Sequence, residues 1–189
     1  MVELDKPYFT SDDKNIVVSF DHDDFPESPR EWSSTTFVTW LRNHRSPNKN
    51  DYEDPNELLD ELKNGDYYWS KVYATIHSGI WYFRPGMRHF DSWDSGFAGF
   101  IFIKKEDAAE LYDIHSEKDA FSLFDDELEY YTKYSNGECY CCHIEYLDDD
   151  TCDCHVGYFD LDECIKSMGY ELGFTEDDLI EAKIKKTYV

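Results

Sequence analysis

Residues 138–159, ECYCCHIEYLDDDTCDCHVGYF, carry the plainest fold signal in the chain. Aromatic, β-branched and cysteine side chains fill Glu138–Leu147 and Cys152–Phe159, a composition typical of two partly buried strands. Three aspartates, Asp148–Asp150, separate the two stretches and favour a turn. The sequence therefore predicts an antiparallel hairpin here.

Further strands and helices are predicted on either side of this hairpin from β-branched runs, helical spacing of apolar residues and capping residues. The predicted strands are 15–21, 35–42, 72–76, 80–83 and 98–103. The predicted helices are 55–63, 105–112, 117–134, 161–168 and 175–182. Strands interleaved with helices, without a repeat or a linker, predict an α+β fold: a single domain over 1–189, with one antiparallel β-sheet and helices packed on one face.

Two short motifs in the first half of the chain are predicted to shape its loops. In the WDSG segment at 93–96, we expect Gly96 to occupy a turn conformation barred to other residues. In the PESPREW segment at 26–32, we expect a fixed corner with Trp32 as its aromatic plug. A recognition surface at this second segment is the alternative.

The balance of charge is the strongest functional signal. The chain has 42 acidic and 18 basic residues, a formal net charge of -24, and a hydrophobic share of 41% that is enough to bury a core. Nucleic acid and anionic membranes are polyanions, so we expect neither as a direct partner. A basic protein partner fits better, and acidity that serves only solubility is the alternative.

The cellular compartment is predicted from what the sequence lacks. No apolar stretch approaches the roughly 20 residues of a membrane span, and residues 1–13 show no signal-peptide pattern. We therefore expect a cytoplasmic protein whose six cysteines are reduced thiols.

The acidic residues concentrate toward the end of the chain, where residues 116–189 hold 20 acids and 6 bases. In the helix predicted at 117–134, several acids lie away from the apolar stripe, and carboxylates three or four residues apart stand about 5–6 Å from each other. This distance is comparable to the charge spacing of a nucleic-acid backbone. The pattern favours DNA mimicry, and the predicted partner-binding acids are Asp119, Asp125, Asp126, Glu129, Asp148, Asp149 and Asp150.

The hairpin also contains candidate metal ligands: Cys139, Cys141, Cys152 and Cys154, with His143 and His155 beside them. Structural zinc usually uses C-x-x-C knuckles, whereas these cysteines form C-x-C pairs on strands. A turn centred on Asp149 would also place Cys154 opposite Ile144, apart from Cys141. Thiols packed into the sheet are the preferred interpretation, so no cofactor is expected and zinc is the alternative.

Catalytic motifs are missing from the sequence. There is no G-x-x-x-x-G-K-[ST], G-x-S-x-G or H-E-x-x-H pattern. Residues 21–24, which are Asp, His, Asp and Asp, offer ligands for a nuclease metal together with Glu27 and Glu31. A solvated loop is the preferred interpretation, and the acidic surface would repel a nucleic-acid substrate. We therefore expect a binding protein rather than an enzyme, with a metal-dependent enzyme as a further alternative.

Three stretches carry a resemblance to a known pattern: FDHDDFPESPREW at 20–32, WDSGFAGFIF at 93–102, and 131–161 with its closing CDCHVGYFDL. They resemble an uncharacterised acidic protein family of bacteriophages and other mobile elements. The chain departs from that pattern at His155 and Val156, where family members commonly have a single Trp. The resemblance implies an accessory protein that takes over a host or blocks its defence.

These observations predict a phage-type anti-defence protein in a bacterial cytoplasm. It would inhibit a host nucleic-acid-directed enzyme, either a restriction enzyme or a CRISPR effector, by presenting carboxylates to the basic channel of that enzyme. An immunity or adaptor protein that clamps a basic partner with aromatic anchors is the alternative.

Overall fold

Strands are interspersed with helices along the chain in the computed structural model, which describes residues 8–11, 16–86, 94–148 and 151–175. The strands are β1 (Tyr8–Ser11), β2 (Ile16–His22), β3 (Thr36–Thr39), β4 (Tyr67–Ile76), β5 (Ile80–Phe83), β6 (Ser95–Lys104), β7 (Tyr140–Tyr146) and β8 (Thr151–Tyr158). The helices are α1 (Pro29–Trp32), α2 (Pro55–Asn64), α3 (Lys105–Tyr112), α4 (Glu117–Ser135) and α5 (Leu161–Leu172). None of these helices is long and apolar enough to cross a membrane.

The elements group into two compact units. The terminal unit consists of residues 1–27 and 137–189 and contains the sheet β1-β2-β7-β8, and the central unit, residues 28–136, contains the sheet β3-β6-β4-β5. The predicted α+β class with antiparallel pairing is confirmed. The strands are divided between two sheets rather than joined in the one predicted, because β2 pairs with the distant β7 while β3 pairs with β6.

The sheet of the central unit is covered on both faces, whereas helices on one face were predicted. Phe124 and Leu128 of α4 pack with Phe37 of β3 on one side. Leu58 and Leu62 of α2 form a separate core on the other side, with Val38 and Phe100. Because adjacent strand residues point to opposite faces, β3 contributes to both cores.

The sheet of the terminal unit has α5 on one face. Cys164, Ile165 and Met168 of α5 pack against Phe20 and other apolar residues of β2 and β7. The alternating residues of these strands point the other way, and they carry Asp21, Cys141 and His143. This second face of the sheet is therefore the polar one.

Local sequence signals predicted most helices correctly. The Asp54 side chain accepts the amide proton of Asn56 and so caps α2, which has Pro55 at its first position. Helix α3 has the predicted bounds and α4 extends the predicted helix by one residue. Strand β4 begins five residues earlier than predicted and β1 was not predicted. The predicted helix at 175–182 lies outside the described residues after Thr175.

Two of the predicted loop roles are wrong. Gly96 lies in β6 opposite Ala74 and has no positive φ, so it is a strand residue. Trp32 ends the short helix α1 and keeps 50% of its surface exposed, so it does not plug the corner. The buried residues of that segment are Pro29 and Arg30, and the Arg30 guanidinium pairs with Glu127 of α4.

Candidate functional sites

The acids predicted on α4 lie together on that helix, but several of them have structural partners. Asp125 forms a bidentate ion pair with Arg84. The distances are 2.5 Å from Arg84 Nε to Asp125 Oδ1 and 2.8 Å from Arg84 Nη2 to Asp125 Oδ2. Glu129 forms an ion pair with Lys133, one helical turn later, at 2.9 Å. These basic side chains compensate two of the four predicted charges.

The remaining predicted acids differ in their surroundings. The amide of Asp119 donates to Ser116 Oγ, and Ser116 Oγ donates to the Asp119 carboxylate at 2.6 Å, an arrangement that caps α4. Asp126 is exposed on α4. Asp148 is exposed after β7 in the terminal unit, and Asp149 and Asp150 lie outside the described residues. The predicted set therefore belongs to two units, with α4 in the central one.

The carboxylates are far less balanced in the terminal unit than in the central unit. In the described part of the terminal unit, Lys166 is the only basic side chain apart from histidines. Twelve carboxylates accompany it: Asp21, Asp23, Asp24, Glu27, Glu138, Glu145, Asp148, Asp153, Asp160, Asp162, Glu163 and Glu171. The described part of the central unit has 19 acids and 11 Lys or Arg residues. The acidic imbalance per residue is therefore greatest in the terminal unit.

Some carboxylates of the terminal unit stabilise local structure through hydrogen bonds. Asp160 accepts the amide proton of Glu163 at 2.9 Å and caps α5. Asp153 accepts the hydroxyl of Tyr146 at 3.0 Å. Others, such as Glu138 and Glu171, are exposed on the surface. Sequence counting found the acidic segment, but the choice of α4 overlooked that Lys166 is the only Lys or Arg among the described residues after residue 136.

An exposed aromatic ring lies among these acids. Phe25 is 93% exposed, in the loop between β2 and α1. Its backbone amide donates to the Asp23 carboxylate at 2.9 Å, which fixes the start of the loop. Asp24 and Glu27 are exposed on either side of it. The loop thus presents a large apolar side chain with acids around it.

The polar face of the terminal sheet brings three potential metal ligands together. Cys141 Sγ lies 3.4 Å from His143 Nε2, and ligand atoms of Cys141, His143 and Cys154 all lie within 4.8 Å of one another. Within the described residues, no other group of three or more His, Cys, Asp or Glu side chains is close enough to share a metal ion. Of the four predicted cysteines, Cys139 and Cys152 are outside this group.

The predicted register of the hairpin is wrong by one residue, and this explains the cluster. Cys154 pairs with His143 rather than with Ile144, so its side chain lies on the same face as His143. Farther along, Val156 and Gly157 of β8 lie opposite the single residue Cys141, where Gly157 has a φ of 91°. Neither the register nor this bulge is visible in the spacing of the cysteines.

All six cysteines are free thiols, and they divide by burial. Cys142 of β7 and Cys164 of α5 pack in the core between the sheet and α5, as predicted for thiols that fill a core, and burial raises the pKa of Cys142 to about 12. Burial also raises the pKa of Cys141 to about 11. The pKa of Cys154 is raised by burial and then by the charges of Cys152 and Asp23. Without a bound cation, these thiols keep their protons at neutral pH.

Comparison with known proteins gives no relative: the chain matches no protein-family model, no curated protein and no solved structure. The resemblance to bacteriophage proteins therefore stays a prediction. We infer the function from the charge, exposure and geometry of the side chains described above.

Proposed function

We propose that the protein binds a basic, nucleic-acid-directed enzyme and inhibits it by occupying the site of the nucleic acid. The twelve carboxylates against Lys166 in the described part of the terminal unit carry this proposal. Following the resemblance to proteins of mobile elements, the target is a host defence enzyme, either a restriction enzyme or a CRISPR effector, in the bacterial cytoplasm.

The distribution of basic residues favours the terminal unit over α4 as the binding surface. A carboxylate that already pairs with an arginine or lysine, as Asp125 and Glu129 do, contributes less to the field that attracts a basic partner. In the described part of the terminal unit, the only Lys or Arg that could compensate a carboxylate in this way is Lys166. Surface charge of one sign also accelerates association with a partner of the opposite sign.

The experiment is a competition assay with purified components. A restriction enzyme or CRISPR effector that co-purifies with the tagged protein at low salt is mixed with its DNA and increasing amounts of the chain. We expect displacement of the DNA and an affinity that falls steeply as salt rises from about 0.05 to 0.5 M. Binding that is indifferent to salt, or a complex that still holds its DNA, contradicts mimicry.

The exposed Phe25 favours a second candidate function, an immunity or adaptor protein that clamps a basic partner through an aromatic anchor. Aromatic hot spots at interfaces cost about 2 kcal/mol or more when truncated to alanine. For this function, Phe25→Ala weakens a captured complex by at least about thirtyfold, which corresponds to that energy. If the protein instead mimics DNA, charge reversal at the acids of the terminal unit should weaken the complex more than Phe25→Ala does.

A further inference from the structure

We infer that Cys141, His143 and Cys154 bind one Zn²⁺ ion on the polar face of the terminal sheet. The site goes beyond the proposed function and does not depend on it. Two thiolates and an imidazole are the ligands that zinc uses most often in proteins. Their ligand atoms already lie within 4.8 Å of one another.

The hairpin positions the three ligands through its backbone. His143 and Cys154 are cross-strand partners on β7 and β8, and Cys141 precedes His143 by two residues on the same face. Directly opposite side chains in an antiparallel pair have Cβ atoms about 4.5–5.5 Å apart, a distance that two ligands of one ion can span. Small side-chain rotations are therefore enough to close a tetrahedral arrangement.

The surroundings of the cluster favour a cation. Asp21 pairs with Cys141 across β2 and β7, so its carboxylate lies on the same face of the sheet. The described part of this unit also has a large excess of carboxylates. A divalent ion with two thiolates is formally neutral, and each thiol releases its proton to solvent as it binds the metal.

The fourth coordination position faces solvent. Strand β8 lies at the edge of the sheet, and Cys154 is exposed. No fourth ligand atom among the described residues belongs to the group, so water completes the tetrahedron. A nitrogen-and-sulfur set with soft thiolates selects zinc over magnesium or calcium, which prefer oxygen.

The test uses the full chain, reduced and stripped of metal, titrated with Co²⁺ as a spectroscopic stand-in for Zn²⁺. We expect one equivalent of Co²⁺ to give thiolate-to-cobalt charge-transfer absorption and the intense visible bands of tetrahedral Co²⁺, and Zn²⁺ to abolish both. X-ray absorption of the zinc form should show two sulfur neighbours at about 2.3 Å and one imidazole nitrogen at about 2.0–2.1 Å.

Matched variants identify the ligands. Cys154→Ser should weaken binding more than the 10–100-fold typical of changes next to a metal ligand, and Cys152→Ser should leave it unchanged. Cys152 is a suitable control because it is exposed on the same face of β8, two residues away. His143→Gln should likewise remove binding, while His155→Gln, on the other face, should not.

Three results would overturn the site. The first is an absence of the thiolate absorption at stoichiometric Co²⁺ in the reduced wild-type chain. The second is an equal loss of affinity in Cys152→Ser and Cys154→Ser. The third is retention of wild-type affinity in His143→Gln. Since Cys154 and Cys152 are exposed, their serine variants are not expected to disturb folding, and circular dichroism checks this.

Discussion

The two units use an acidic composition in different ways. In the central unit, acids are placed next to bases: Arg84 with Asp125, Lys105 with Asp66 at 2.8 Å, and Lys133 with Glu129. The described part of the terminal unit contains twelve carboxylates and one lysine. Self-repulsion costs stability, and the excess of acids per residue is larger in the terminal unit, which is the charge that the proposed basic partner would compensate.

The two units also differ in how many faces of their sheets are buried. The central sheet is covered on both faces, and rings pack edge to face within it, such as Phe37 with Tyr82 at 5.1 Å. In the terminal unit, α5 covers one face of the sheet, and the other carries thiols, a histidine and acids. The central unit thus has two packed cores, whereas the terminal sheet leaves one polar face, which carries the ligands of the proposed zinc site.

The largest effect is expected at the buried ion pair of the central unit. Arg30 and Glu127 have side chains 4% and 6% exposed, Thr35 accepts from Arg30 at 3.0 Å, and burial lowers the pKa of Arg30 to about 10. Glu127→Ala leaves a buried guanidinium without its counter-ion, which costs about 3–5 kcal/mol of the free energy of unfolding. Urea denaturation monitored by fluorescence measures this loss.

Glu129→Ala is the control for that prediction, because Glu129 is on the same helix and pairs with Lys133 at the surface. We expect a cost of at most about 1 kcal/mol there. Equal losses in the two variants would show that the pairing of Arg30 is not a source of stability in the central unit.

A smaller effect is expected at Gly99 in β6. A Cβ at Gly99 would lie 1.9 Å from the carbonyl oxygen of Val38, in the neighbouring strand. Gly99→Ala should therefore push β3 and β6 apart and cost about 1–3 kcal/mol or more. Gly96→Ala is the matched control, because nothing lies within 4 Å of its added Cβ, and a change of within about 0.5 kcal/mol is expected. A well-tolerated Gly99→Ala would contradict the close approach of these strands.

The comparison of Gly96 with Gly99 also shows how far the sequence could predict this fold. Local signals succeeded where the structure depends on neighbours in the chain, as in the capped helix α2 and the apolar stripe of α4. The turn predicted at Gly96 is wrong because the pairing of β6 with β4 places Gly96 inside a strand, and only the pairing of β6 with β3 reveals that Gly99 has no room for a side chain. The prediction of a single sheet failed for the same reason, since β2 pairs with residues more than 100 positions away.

The candidate sites show the same difference between features that depend on local sequence or composition and features that depend on contacts between distant residues. The excess of acids after residue 116 is a property of composition, and the sequence predicts it directly. The compensation of Asp125 by Arg84 joins residues 41 positions apart and cannot be found by counting. The cluster of Cys141, His143 and Cys154 depends on a one-residue register and a bulge, so spacing alone argued against it.

The smallest predicted effect tests which unit binds the basic partner. Glu171 of α5 and Glu110 of α3 are both exposed in the last turn of a helix that has no basic residue there. A lysine at either position interacts favourably with the helix dipole, by about 0.3–1 kcal/mol, so folding is preserved in both variants. Glu171→Lys should weaken binding about fivefold at low salt, equivalent to about 1 kcal/mol for one surface charge pair, and Glu110→Lys should leave it unchanged. Titration calorimetry at two salt concentrations measures the difference, which should shrink as salt rises. A greater loss for Glu110→Lys would move the binding surface to the central unit.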